Sequence, residues 1–196
     1  MEMTGEQRIQ ASQDDTWAAL NDPGILKACV PGCESIDRVS DAEYAVQMTA
    51  RVGPVSAKFK GKLTLSNLKP PHSYSIAFEG QGGVAGFAKG CAEVDLAREG
   101  EHATKLTYKA KANVGGKLAQ IGSRLVDAAA NKVANDFFTA FNEKMAELHG
   151  AHEKHEAHHP EPVARDPDLP QVSEASLWFF AAGALVVFVV ALITLF

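Results

Sequence analysis

The side chains with the most reactive chemistry are three cysteines, Cys29, Cys33 and Cys91, and seven histidines. Cys29 and Cys33 form a C-x3-C pair, enough for two of the four ligands that a structural zinc requires. The other two would have to come from His149, His152, His155, His158 and His159, far along the chain in a polar tract, so no metal site is assigned. An odd cysteine count without a secretory signal reads as reduced thiols. His72 follows Pro70-Pro71 in a turn and His102 closes the turn Glu99-Gly100-Glu101, and neither is placed to meet a serine or cysteine nucleophile. The glycine-rich run GGVAGFAKG, residues 82–90, lacks the Gly-Lys-Ser/Thr ending of a phosphate loop and does not open a helix. No catalytic residue is assigned, and the chain does not read as an enzyme.

The elements that would hold these residues follow from periodicity. A first strand over Met3–Ala11 leads into Ser12-Gln13-Asp14-Asp15, a capping sequence that starts a helix over Thr16–Leu20. Asp22-Pro23 caps a second short helix, which stops before Pro31-Gly32. From Glu34 to Val114 the chain alternates with period two. Tyr44, Val46, Met48, Ala50 and Val52 share one face, as do Phe59, Leu63 and Leu65, then Tyr74, Ile76 and Phe78, then Val94 and Leu96, then Leu106, Tyr108 and Ala110. Such alternation makes an antiparallel sheet that is apolar on one face and wet on the other. A long helix over about Gly116–His149 carries Leu118, Ile121, Leu125, Ala129, Val133, Phe137, Phe141, Met145 and Leu148 at steps of three and four, a continuous stripe that covers the sheet. One strand, two short helices, a run of strands and a long last helix is the order of an α+β helix-grip fold, in which a bent sheet wraps the final helix.

The rest of the chain is of another kind. Residues 149–176 hold five histidines and four prolines with no clustered apolar residues, and read as a disordered linker with an end-to-end distance of roughly 30 Å. Leu177–Phe196, LWFFAAGALVVFVVALITLF, contains no charge, and at ~1.5 Å per residue spans roughly one hydrocarbon core, with Trp178 at its interfacial end. The organisation expected is a domain over 1–148, a linker over 149–176 and a single-pass transmembrane anchor over 177–196. With no signal at MEMTGEQRIQ, the domain is expected at the cytoplasmic face of the cell membrane. The domain carries seventeen Lys and Arg against eighteen Asp and Glu, a balance that gives nothing for nucleic acid to bind.

The inward positions are small. Ala50, Ala57, Gly61, Gly90, Ala92, Ala110 and Ala112 face the helix residues Ala128, Ala129 and Ala130. A sheet and its covering layer normally stand about 10 Å apart with the space filled, so the missing volume is either a lined hollow or a close approach of backbones. We take the hollow as the working reading, with an apolar lining of Met48, Phe59, Phe78, Tyr108, Leu118, Ile121, Leu125, Phe137 and Phe141. The loop containing Gly83, Val84, Gly86 and Phe87 reads either as a gate over its mouth or as an ordinary glycine-rich hairpin. Lys58, Lys60 and Lys62 on one strand, with Lys105, Lys109 and Lys111 on another, are either a basic patch or a solvated face.

Four stretches together carry a family resemblance: LKACVPGCE at Leu26–Glu34, VGPVSAKFKGKLTL at Val52–Leu65, GGVAGFAKG at Gly82–Gly90, and GGKLAQIGSRLVDAAANKVANDFF at Gly115–Phe138. In these, residues 1–148 resemble the carbon monoxide dehydrogenase CoxG family, within the START-like, polyketide-cyclase-like superfamily. The resemblance implies a partner, a carbon monoxide dehydrogenase containing molybdenum, flavin and iron–sulfur centres, and a role in bringing that soluble enzyme to the membrane. It implies no catalytic residues, and it agrees with an apolar ligand beneath the last helix. The expectation is an anchored adaptor that also receives a quinone, menaquinone or ubiquinone, or another apolar lipid. An adaptor with a collapsed core and a cyclase-like enzyme are the alternatives.

Overall fold

The computed structural model describes the backbone of residues 2–156 and the side chains of residues 2–148. The expected anchor and most of the expected linker lie outside these residues. Among the described residues, no helix is long and apolar enough to cross a membrane.

The elements come in the expected order. Strand β1 (Glu2–Ile9) is followed by helices α1 (Gln13–Ala19) and α2 (Pro23–Cys29), then by β2 (Cys33–Arg38), β3 (Glu43–Val52), β4 (Val55–Lys69) and β5 (Ser73–Gln81). A 3-10 turn at Gly83–Ala85 leads to β6 (Phe87–Arg98) and β7 (Thr104–Gly115), and helices α3 (Lys117–Gln120) and α4 (Ser123–Glu156) complete the order. The strands form one antiparallel sheet in the order β1-β7-β6-β5-β4-β3-β2, a meander that β1 closes by pairing with β7. The helix starts use the capping chemistry read from sequence. Ser12 Oγ accepts from the Asp15 amide at 3.1 Å, and the Asp22 carboxylate accepts from the Gly24 and Ile25 amides at 2.7 and 3.0 Å.

The alternation read from β3 to β7 places the right residues inside. Tyr44, Val46, Met48, Phe59, Leu63, Tyr74, Ile76, Val94, Leu106 and Tyr108 are all buried. Of the small positions, Ala50, Ala92 and Ala110 are buried, while Ala57, Gly61, Gly90 and Ala112 are half-buried. Helix α4 makes its close backbone approaches to α2, β1 and β3.

The covering helix departs from expectation in two ways. It is not continuous, because Gly122 takes a φ of +93° between α3 and α4. This left-handed residue ends one helix and resets the phase of the next. The buried stripe of α4 is therefore Val126, Ala130, Ala134, Phe137, Phe138, Phe141 and Met145, while Leu125 is 51 % exposed, Leu148 and Ala128 are exposed, and Ile121, Ala129 and Val133 are half-buried. The steps from Leu118 to Ile121 to Leu125 fit a single helix, and spacing alone does not reveal the break. The second departure is that α4 runs on to Glu156, past His149, the expected start of the linker. HGAHEKHE contains no proline, and the composition that marks a linker resides in the tract after it.

Candidate functional site

The register of the sheet lays out the face that α4 covers in successive rows. At the end near α1 the row is Tyr74, Val94, Tyr108 and Gly5. Next comes Leu65, Ile76, Ala92, Ala110 and Met3, then Leu63, Phe78, Gly90 and Ala112, then Val46, Gly61, Gly80, Ala88 and Val114. Small residues thus occupy β6 and β7 in two consecutive rows, and β4 to β6 in a third. Some of that space is taken by neighbouring rings. A methyl group placed on Gly90 would meet the Phe78 ring at 2.4 Å, and one on Gly82 would meet the Phe59 ring at 2.0 Å. From above, α4 contributes a stacked Phe137–Phe141 pair with centroids 5.6 Å apart, and Phe138 stacks on Tyr108 at 5.7 Å.

Seven of the nine residues expected to line the site are buried together: Met48, Phe59, Phe78, Tyr108, Leu118, Phe137 and Phe141. Ile121 is half-buried at its margin, and Leu125 is displaced outward by the break at Gly122, reaching instead toward the β3–β4 turn at Gly53. Two clefts flank the first half of α4. One, of about 240 Å3, runs between β3 and the helix and is lined by Gly32, Met48, Ala50, Ala129 and Val133. The other, of about 220 Å3, runs between β7 and the helix and is lined by Ala112, Val114, Ala119 and Val126. Both reach inward-facing residues through positions occupied by small side chains.

The loop between β5 and β6 presents Val84 at 84 % and Phe87 at 41 % exposure, while Ala85 between them is buried. Its glycines serve close approach. Gly86 has a φ of +120°, and a methyl there would stand 1.9 Å from the Gly115 carbonyl oxygen; one on Gly116 would stand 2.5 Å from the Gly86 Cα. The loop backbone therefore rests on the turn between β7 and α3, and Phe87 lies over Gly115. Gly83, with a φ of +60°, has open space around it.

Polar chemistry on the covered face is sparse. The buried polar residues among those described are Gln13, Thr16 and Thr104. Gln13 bonds His72 Nδ1 at 3.0 Å and the Leu96 carbonyl at 2.8 Å, and Thr104 donates to the Ala11 carbonyl at 2.9 Å. Burial pushes the Cys29 and Cys33 thiols up to about 11, so at neutral pH they are protonated and weakly nucleophilic. No group of three or more His, Cys, Asp and Glu side chains able to hold a metal stands together among the described residues. Burial also raises the Tyr44, Tyr74 and Tyr108 hydroxyls above the usual phenol range. Tyr74 is the polar residue of this face that sequence reasoning misses, although its place in the alternation Tyr74, Ile76, Phe78 already turns a hydroxyl toward the interior.

The outer face is solvated. The two lysine triplets lie on β4 and β7 with β5 and β6 between them, and four of the six lysines are ion-paired: Lys58 with Glu34, Lys62 with Glu43, Lys105 with Glu6 and Lys111 with Glu2. A broad groove of about 790 Å3 crosses this face over the small residues Ala77 and Cys91. It lies on the opposite side of the sheet from the apolar site.

Three solved structures place this geometry among known folds. A conserved protein from Geobacillus kaustophilus is 29 % identical over 75 % of this chain and 96 % of its own, with a TM-score of 0.71. The Zhui aromatase/cyclase from Streptomyces sp. R1128 has the same fold at 12 % identity, with a TM-score of 0.58 over 77 % of this chain and 97 % of its own. So does a START superfamily protein from Mycobacterium smegmatis, at 13 % identity and a TM-score of 0.55 over 75 % of this chain and 98 % of its own. No curated protein matches the chain in sequence. The family profile of CoxG, described as a subunit of carbon monoxide dehydrogenase, matches residues 5–146, nearly all of the described domain, and the chain belongs to that family.

Proposed function

We propose that this chain is a non-catalytic accessory subunit that holds an apolar lipid, a quinone such as menaquinone or ubiquinone, between α4 and the sheet. In this reading it brings a molybdenum-containing carbon monoxide dehydrogenase to the cytoplasmic face of the membrane, where residues 177–196 anchor it. Electrons from carbon monoxide oxidation arise in a soluble enzyme, while quinones reside in lipid, and a tethered carrier joins the two phases. The observation that carries the ligand reading is the pair of clefts beside α4, edged by Arg51, Lys132 and Asp127, which open through small residues onto a face that buries no Asp, Glu, Lys, Arg or His among the described residues. Burying isoprene units there at roughly 25 cal/mol per Å2 holds a ligand without a charged partner.

The test is organic extraction and mass spectrometry of the full chain purified from its native membrane, beside Ala110→Trp. Ala110 is 3 % exposed within the small-residue rows, and an indole there fills the space a tail would occupy, at a strain of roughly 1–3 kcal/mol. The expected result is isoprenoid quinone with the parent and little with the variant, while both still capture the dehydrogenase. Equal and negligible quinone from both removes the carrier role.

A pure adaptor without a ligand is the second reading, and the rings of Phe78, Phe137, Phe138 and Phe141, which already occupy much of the interior, favour it. A cyclase-like activity has less support, because the covered face lacks an acid and base pair among its described residues.

A further inference from the structure

Three buried hydroxyls among the described residues lack a hydrogen-bond partner: Thr16 Oγ1, Ser35 Oγ and Tyr74 OH. They are not equivalent. Ser35 lies on the edge strand β2 and is half-buried. Thr16 lies within α1, where rotation of a threonine side chain brings its hydroxyl to the carbonyl one turn back, that of Ser12. A phenol has no such local recourse, since its oxygen stands a ring's length from its own backbone. Tyr74 is 2 % exposed, and its hydroxyl has given up water without receiving a protein partner in exchange.

Its position gives the orphan hydroxyl a use. Tyr74 begins the inward face of β5 at the α1 end, and Ile76 and Phe78 follow it toward the Gly83–Ala85 turn. The row beyond it places Ala92 and Ala110 on the neighbouring strands. The edge-on Trp17 ring, 5.5 Å away at 81°, braces the phenol from the α1 side. Tyr74 thus lies one row from Ala92 and Ala110, in the same row as Tyr108, and burial keeps its hydroxyl protonated at any physiological pH.

We propose that Tyr74 is the polar anchor of the apolar site, its O–H donating to a carbonyl oxygen of a guest whose hydrocarbon tail runs along the small-residue rows toward the Gly83–Ala85 turn. The inference rests on the ligand-binding reading above and narrows it to molecules that carry a hydrogen-bond-accepting oxygen at one end. A hydrocarbon of similar size fills the same space without engaging Tyr74.

The experiment uses the full chain in detergent with Trp178→Phe, which leaves Trp17 as the one tryptophan of the two in the sequence. The probes are a menaquinone with two isoprene units, read by quenching of Trp17 fluorescence, and squalene, read by competition with it. Tyr74→Phe is expected to weaken the quinone roughly five- to tenfold, to leave squalene unchanged, and to leave the ligand-free melting temperature undiminished, because the hydroxyl it removes is unpaired. Thr16→Val is expected to leave quinone affinity at the parent value. Equal quinone affinity in the parent and Tyr74→Phe overturns the anchor while the ligand reading stands. A parallel loss of quinone and squalene, or a lowered ligand-free melting temperature, also overturns it, by showing a packing role or an internal partner. A parent that binds neither probe removes the ligand reading and the anchor with it.

Discussion

The two ends of the sheet are built by different means. At the α1 end, where the turns between β2 and β3, β4 and β5, and β6 and β7 lie, the helix meets β6 and, through Gln13, the β4–β5 turn at His72. Polar groups there are tied inward through Gln13, His72 and Thr104, and carboxylates are frequent: Asp14, Asp15, Asp41, Glu99 and Glu101. At the other end, the Gly86 and Gly116 turns rest backbone on backbone, the Gly53 turn meets the Leu125 side chain, and Val84, Phe87 and Leu125 are exposed. The chain has no carboxylate between Glu43 and Glu79, between Glu79 and Glu93, or between Glu101 and Asp127, so the turns at this end bring Arg51, Lys117 and Arg124 and no acidic residue. Side-chain hydrogen bonds tie the α1 end, and the other end presents apolar tips near Arg51, Lys117 and Arg124, with Asp127 in the first turns of α4. A site that must admit a large apolar molecule needs such a division, because opening draws on the less stable part of a fold.

The largest effect that sharpens this contrast is expected at the α1 end. Leu106 is fully buried and pairs across the sheet with Leu96 and Gln7. Leu106→Ala is expected to lower unfolding stability by roughly 2–5 kcal/mol, read as a shift of the urea midpoint at constant slope. A loss below about 1 kcal/mol would mean that this end is not where cohesion resides. At the opposite end, Gly86→Ala puts a methyl 1.9 Å from the Gly115 carbonyl oxygen on a residue whose φ is +120°. The expected cost is about 1–3 kcal/mol, measured in the same way. If the substitution costs nothing, the loop leaves the β7–α3 turn freely and behaves as a mobile gate rather than a pinned hairpin.

The strands and the caps were legible in the sequence because each rests on a local rule. Alternation put Met48, Phe59, Phe78 and Tyr108 inside, and Ser12 and Asp22 named the starts of α1 and α2. The burial of the candidate lining was legible where it rests on strands and less so where it rests on the helix. Gly122 breaks the stripe without breaking its spacing, and this turned Leu125 outward and brought Val126, Ala130 and Phe138 in. A positive φ is a property of the folded backbone, and glycine permits it without announcing it. The role of the loop glycines was equally hidden, since composition does not separate a glycine that flexes from one that lets Gly115 or Phe59 approach. Tyr74 escapes a reading of the sequence because a count of ionisable groups passes over a hydroxyl, and its lack of a partner exists only in three dimensions.

The smallest effect on stability is expected at Val84, and there the contrast between the ends becomes functional. Val84 is 84 % exposed, so Val84→Asp is expected to change unfolding stability by less than about 0.5 kcal/mol. It nevertheless places a carboxylate at the tip of an end that has none in its turns. If these tips meet lipid when a quinone passes, the new charge must be desolvated or repelled at an anionic surface. Transfer of quinone from anionic vesicles to the full chain should then slow several-fold, while affinity for quinone already in detergent stays the same. Val84→Ala, which removes apolar area without adding charge, should slow transfer less. Equal transfer rates for all three chains would mean that the basic, apolar end is ordinary surface, and that a ligand reaches the core by the clefts beside α4 alone.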